Sequence, residues 1–229
     1  MTAAAPVDPR RLSRRLYLGG AAAAALSAAL PRPAHAGAQI EEPLIDSVRT
    51  ALSSAIQNSA PPVPEFGSTE ARLTYLRWLG DMSERLKKKM PDWPTRKEFL
   101  QTVWYEARRA GLDVSLVLGL IQVESNFRKF AVSSAGARGY MQVMPFWAKL
   151  ISGADPSILF HMQTNLRFGC SILRYYLRDR ENGDLFLALG RYNGSRGQPQ
   201  YPRAVFNAKR VWDWKDAPSV QETQTPPTR

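Results

Sequence analysis

The sequence predicts an all-α protein: a compact helical domain with a small helical N-terminal extension. Three observations predict it. Apolar residues recur at three- and four-residue spacings through most of the chain, whereas the two-residue alternation of strands is nearly absent. Helix start and stop residues punctuate those runs. And 229 residues with 44% hydrophobic composition are enough for one sizeable core and a small extra lobe.

Taken in order, Leu44, Val48, Leu52 and Ile56 give a first amphipathic pattern, ended by the stiff run Pro61-Pro62-Val63-Pro64. Leu73, Leu76, Leu79, Met82 and Leu86 mark the apolar face of a second helix. Lys87-Lys88-Lys89 close it where the macrodipole favours cations, and are expected to be a solvated helix end. After Pro91-Asp92-Trp93-Pro94, Thr95 and Glu98 are spaced as a capping box. Phe99, Val103, Trp104 and Ala107 then share a face, and Gly111 ends the helix. Asp113 caps a helix running to Glu124. Gly136 to Gly139 reads as a turn, residues 140–143 as a short helix, and Pro145 as the start of another. Residues 166–178 read helical, Asp184 caps a helix at 185–192, and residues 199–212 form a last amphipathic segment. The polar, Pro-rich tail at 216–229 is expected to be disordered.

The formal net charge is +11. Residues 1–36 hold five Arg and one Asp, which leaves +7 for the remainder and favours an anionic partner. Arg10, Arg11, Arg14 and Arg15 precede an apolar Ala/Gly-rich run at 16–30 and the small-x-small triplet Ala34-His35-Ala36, the order of an export signal cleaved near Ala36. Ser13-Arg14-Arg15-Leu16 also has the form of a twin-arginine signal. The apolar run is shorter than a membrane span of about 20 residues, so no stable membrane insertion is expected. An exported, periplasmic protein with the single cysteine Cys170 has no intrachain disulfide and relies on its core. Cys170 reads as a small buried hydrophobe, no metal-ligand spacing is present, and no cofactor is expected. The domain layout expected is a signal at 1–36, a helical accessory region at 37–90, a main domain at 91–215 and the tail.

Glu124 is the residue most out of place. It ends an almost wholly apolar helix, near the C-terminal end of the macrodipole, and no other acid occurs from Ser125 to Ala154. Burial and the dipole both disfavour its ionised form, which is what a general acid needs. On position alone, a structural acid paired with an Arg is an equal reading.

Four elements surround it: Glu124-Ser125-Asn126-Phe127; Gly136-Ala-Arg-Gly139-Tyr140-Met141-Gln142-Val-Met144-Pro145; Asn165-Leu-Arg-Phe-Gly169; and Ala188-Leu-Gly-Arg-Tyr192-Asn193-Gly194, followed by Tyr201. From Phe99 to Trp214 the chain resembles the catalytic domain of lytic transglycosylases, relatives of goose-type lysozyme. The resemblance implies a lysozyme-like (goose-type) fold, with Glu124 as the acid/base. It implies substrate-binding roles for Ser125, Tyr140, Met141, Gln142, Tyr192, Asn193 and Tyr201, with Tyr192 and Asn193 beside Glu124. The chain departs from the family pattern at Tyr140, where Leu or Ile is usual, and at Arg191-Tyr-Asn-Gly-Ser195, where a small residue followed by Tyr-Asn-Ala-Gly is usual. Those departures bear on subsite preference. Asn165, read as a helix N-cap, and Met144, Phe146 and Trp147 are expected to serve structure more than binding, as are most of Trp78, Trp93, Trp104, Trp212 and Trp214, which could otherwise stack on sugars.

The resemblance also implies the chemistry. Peptidoglycan would be cut at the β-1,4 bond between N-acetylmuramic acid and N-acetylglucosamine, without water. Ordinary glycosidases use two carboxylates, about 5 Å apart in the retaining class. A lone acid completes the reaction if the muramoyl C6 hydroxyl is the nucleophile, leaving a 1,6-anhydro end. A lysozyme-type muramidase using a second acid such as Asp155 or Asp184, and a non-catalytic peptidoglycan-binding module, remain as alternatives. Glycan strands are the expected partner, alongside a cell-wall or secretion-apparatus protein. Nucleic acid is not expected, and a monomer is.

Overall fold

The structure, a computed structural model, describes residues 46–57, 63–152 and 155–216, all within the unit Ala34–Arg229. The export-signal region and the tail beyond Asp216 lie outside the described residues. The described residues are helical, as predicted, with two isolated bridges and no strand. The helices are α1 (Asp46–Gln57), α2 (Thr69–Leu86), α3 (Trp93–Arg109), α4 (Val114–Ser125), α5 (Pro145–Ser152), α6 (Met162–Tyr175), α7 (Leu185–Asn193) and α8 (Gln200–Trp212). A 3-10 turn at Pro156–Phe160 leads into α6, which runs on as a π segment at Tyr176–Arg180.

Several caps follow the sequence. Asp113 accepts from the Ser115 amide at the start of α4, and Asp184 from the Leu187 amide at the start of α7. Gly111, at φ +65°, follows α3 while the Leu112 amide donates back to the Ala107 carbonyl, a left-handed stop that glycine adopts without strain. Other expectations are corrected. The cap of α3 is Asp92, which accepts from the Thr95 amide, so the helix starts before the Thr95/Glu98 pair. Residues 140–143 form no helix. They make a tight turn whose flanks are bridged, Val132 to Arg138 and Arg138 to Val143. The core face of α2 is also rotated from the leucine pattern: Leu73 and Leu76 are 43% and 47% exposed, while Tyr75, Trp78, Leu79, Met82 and Leu86 are buried. Aromatic area decides that rotation. Tyr75 and Trp78 pack against Trp104 of α3 with centroids 5.2 and 4.6 Å apart, burying more surface than two leucines could.

α6 is the central post. Of its residues only Gln163, Arg167 and Arg174 escape burial, and α1, α3 and α7 pack around it. Cys170 is buried at its middle, and burial pushes the thiol pKa far up. The chain beyond α8 returns to α2, where Arg77 donates to the Asp216 carboxylate at 2.6 and 2.7 Å, so Asp216 is part of the fold rather than of the tail.

The contact that positions the site is between α4 and α8, the most extensive helix pair among the described residues. Gly119 makes it: a Cβ there would sit 2.6 Å from the Lys209 backbone nitrogen and 2.8 Å from its Cα. Backbone cannot yield as a flexible side chain can, so Gly119→Ala is expected to cost about 2 kcal/mol or more through overpacking, despite alanine's helix propensity. Gly80, within α2, has nothing within 4 Å of such a Cβ, so Gly80→Ala is expected to gain about 0.5–1 kcal/mol. Urea unfolding of the two variants checks the contrast.

Candidate active site

Glu124 lies in the last turn of α4 and is 7% exposed. Its Oε1 accepts a 2.5 Å hydrogen bond from the Tyr201 hydroxyl, from the first turn of α8. Its Oε2 is buried and has no hydrogen-bond partner. Burial raises its pKa from the ordinary 4.5 to about 8, with the Tyr201 hydrogen bond pulling the other way. No second carboxylate among the described residues contributes to that shift. Tyr201 is itself buried, and burial followed by the charge of Glu124 holds its phenol well above its usual range.

Two other buried acids show what a structural carboxylate looks like here. Glu106 takes Arg109 at 2.7 Å and Arg167 at 2.8 Å, tying α3 to α6. Glu181 takes Arg191 and Arg196, each at 2.7 Å, and the Arg196 hydrogen bonds hold its carboxyl below the usual range against the effect of burial. Both are satisfied by two cations. Glu124 has a phenol and a bare oxygen instead, which is unlike the Arg-paired reading its position alone allowed.

The loop leaving α4 is wound tightly. Asn126 and Phe127 both adopt positive φ, +50° and +65°, a left-handed pair that costs about 1–3 kcal/mol per residue and persists only where packing over-determines it. The packing is visible. The Phe127 ring meets Trp212 at 5.1 Å and Phe99 at 6.0 Å, and the Lys89 ammonium lies 5.8 Å from its centroid. Lys89 also donates to the Asn126 side-chain carbonyl, so this member of the lysine run braces the loop.

The predicted site residues divide by what they touch. The Ser125 hydroxyl is buried and donates to the Ile121 carbonyl within α4, which leaves it on the helix. Tyr192 is fully buried, and its hydroxyl donates to the Met141 carbonyl at 2.8 Å; the phenol that meets Glu124 is that of Tyr201. The Asn193 side-chain oxygen accepts from Ser195. In the turn, Tyr140 packs on Phe99 at 4.9 Å, and burial pushes its phenol up to about 12. Met141 is fully buried against Gly169, where a Cβ would fall 2.3 Å from its sulfur. Gln142, at φ +48°, donates from its amide to the Ala131 and Gly139 carbonyls. All three are buried, with their side chains engaged inside the protein.

Asn165 holds the turn in place. Buried in the first turn of α6, it accepts from the Met141 amide and donates to the carbonyls of Arg138 and Leu159, each at 2.8 Å. It is structural, as expected, but it clamps a loop and does not cap the helix. Sequence reading missed this clamp, the Glu106 and Glu181 ion pairs and the Gly119 contact. Only the conjunction of a polar residue with an otherwise apolar helical face hinted at Asn165. Among the described residues, no group of three or more His, Cys, Asp or Glu is placed to hold a metal.

An all-α domain centred on a buried, singly hydrogen-bonded acid is the class of protein defined so far. Residues 102–214 match the family model described as Transglycosylase SLT domain, and the chain therefore carries a lytic transglycosylase catalytic domain. Two curated relatives are named membrane-bound lytic murein transglycosylase C. That of Mannheimia succiniciproducens is 40% identical over 85 residues, covering 34% of this chain and 24% of the relative. That of Glaesserella parasuis is 47% identical over 91 residues, covering 36% and 25%. The chain thus spans about a quarter of the length of these relatives. A crystal structure of an inactive mutant of lytic transglycosylase Slt from Pseudomonas aeruginosa aligns with a TM-score of 0.45 and 24% identity, over 62% of this chain and 29% of that one.

Glu124 also bears on stability. Folded, the carboxyl keeps its proton up to about pH 8; unfolded, it releases it near the ordinary 4.5. Between those values the folded state binds more protons, so the stability tied to this group is full below about pH 4.5 and is lost as pH rises towards 8. Glu124→Gln removes that loss. The variant is expected to match the parent near pH 4 and to exceed it by about 1–3 kcal/mol at pH 8, as read by thermal melts across the range.

Proposed function

We propose that the protein is an exported peptidoglycan lytic transglycosylase in which Glu124 is the single acid/base. The observation that carries this reading is the contrast among three buried carboxyls: Glu106 and Glu181 are each neutralised by two arginines, while Glu124 keeps an unpartnered oxygen and a pKa near 8. A carboxyl of that kind is protonated at neutral pH and able to give its proton to a leaving glycosidic oxygen. The same group, once ionised, takes the proton of the muramoyl C6 hydroxyl. That hydroxyl attacks C1, the β-1,4 bond to N-acetylglucosamine having broken, and a 1,6-anhydro end results with no water consumed. Tyr201 holds Oε1, so Oε2 is the oxygen left to exchange protons with substrate.

In this reading the turn at Tyr140, Met141 and Gln142 shapes the sugar cleft through its backbone. Ser125, Tyr192 and Asn193 act as positioning residues, since their side-chain polar atoms are engaged within the protein. The domain at 91–215 does the chemistry, 37–90 braces it through α2, and 1–36 directs export to the periplasm. The lysozyme-like fold, the glycan substrate and a cell-wall location accord with the family matched at residues 102–214. The named relatives are described as membrane-bound; among the described residues here, no helix is long and apolar enough to cross a membrane.

Digestion of purified peptidoglycan followed by mass spectrometry tests the reaction. Products one water lighter than reducing-end muropeptides are expected, and Glu124→Gln should lower their release by about a hundred- to ten-thousand-fold. Reducing ends as the main product would instead support the muramidase reading.

The pH profile carries a second prediction. The alkaline limb of kcat/KM should follow the Glu124 pKa near 8. Because the Tyr201 hydrogen bond lowers that pKa, Tyr201→Phe should move the limb to higher pH while reducing the maximum.

A further inference from the structure

The loop between α4 and α5 carries a patch that the chemistry of Glu124 does not use. Phe130 is 70% exposed and Val132 60%, both a few residues beyond the buried acid. Exposed phenylalanine on a loop gains nothing from the core, yet this ring is held. It packs on Phe160 of the 3-10 turn with centroids 5.7 Å apart at 51°. The Lys129 ammonium lies 5.3 Å from the Phe130 centroid, and the Arg138 guanidinium 5.5 Å from that of Phe160. Two aromatic rings are thus flanked by two cations in a partly ordered array.

The backbone beneath is fixed to the turn at residues 138–143. Val132 bridges Arg138, Arg138 bridges Val143, and the Gln142 amide donates to the Ala131 carbonyl. The charge is one-sided: residues 125–154 hold Arg128, Lys129, Arg138 and Lys149 and no acid. The nearest acid to act on the array is Asp155, whose carboxyl is lowered mainly by its Ser157 hydrogen bonds and only last by Arg138. Neither Lys129 nor Arg138 makes an ion pair among the described residues.

We propose that Lys129, Phe130, Arg138 and Phe160 form an aromatic–cationic clip for a peptide-bearing glycan strand. The Phe130 ring takes the apolar face of a sugar, and the two cations take carboxylates of the attached peptides. This rests on the reading of the site as peptidoglycan-cleaving. The clip adds a requirement for anionic, peptide-substituted substrate that Glu124 and its surroundings do not impose. Exposed aromatic area lost to a sugar and cations lost to a carboxylate both stabilise binding, the second in a salt-dependent way.

Binding to insoluble sacculi tests it without cleavage, using the full chain carrying Glu124→Gln as parent. Phe130→Ala and the double variant Lys129→Ala/Arg138→Ala are compared by co-sedimentation on intact sacculi and, by fluorescence anisotropy, on the soluble glycan strands that an amidase frees of peptides. Phe130→Ala should bind both about tenfold more weakly. The double variant should weaken by a similar factor on intact sacculi only, with a smaller salt dependence than its parent. Circular dichroism verifies that each variant is folded. A parent that binds sacculi while both variants bind equally well overturns the clip alone. A folded parent that fails to bind overturns the clip together with the proposed function. Equal weakening of the double variant on peptide-free strands and on intact sacculi overturns the assignment of the cations to peptide carboxylates.

Discussion

The close approach of α4 and α8 is the constraint on which the rest depends. With no side chain at Gly119, the two backbones come within a distance that a single Cβ would close. That approach brings Tyr201, in the first turn of α8, onto the carboxyl at the last turn of α4. It also buries Trp212, whose indole donates to Gln122 and whose ring supports Phe127 in its strained backbone conformation. One glycine therefore sets both the environment of the acid and the path of the loop that follows it.

Around that pair the protein handles buried charge in two ways. Glu106 and Glu181 are each given two guanidiniums, which offset the desolvation cost of a buried charge. Glu124 is given one phenol and no cation, and burial raises its pKa. The difference is one of neighbours, since all three acids are buried to a similar degree. The turn opposite is rigid for a related reason: Asn165 and Gln142 satisfy the backbone groups of a segment that forms neither helix nor strand.

Much of this was legible in the chain. Asp113 and Asp184 announced their helices because a cap needs only local geometry, and Glu124 stood out because charge in an apolar helix is costly wherever it occurs. Less was legible where a choice lay between distant partners. Leu73 and Leu76 fit a helical face as well as Tyr75 and Trp78 do; Trp104, on another helix, decided which face turned inward. Tyr192 was the phenol expected beside the acid, and nothing in the sequence marked Tyr201 as the one whose hydroxyl bonds it. Tyr192 reaches Met141 instead. Residues 140–143 read as helical because local propensity does not register a side chain such as Asn165, 25 positions beyond Tyr140, that accepts a turn amide.

By itself the sequence determined that the protein is helical, that it caps its helices with particular aspartates, and that an acid without acidic neighbours ends the helix begun at Asp113. These follow from periodicity, local hydrogen bonding and the cost of burying charge, which act over a few residues. Only the tertiary structure decided which phenol touches that acid, which buried carboxylates are paired with arginine, and which face of α2 meets the core. Those outcomes depend on helices separated by tens of residues and on how closely their backbones approach, and a single missing Cβ settles that approach.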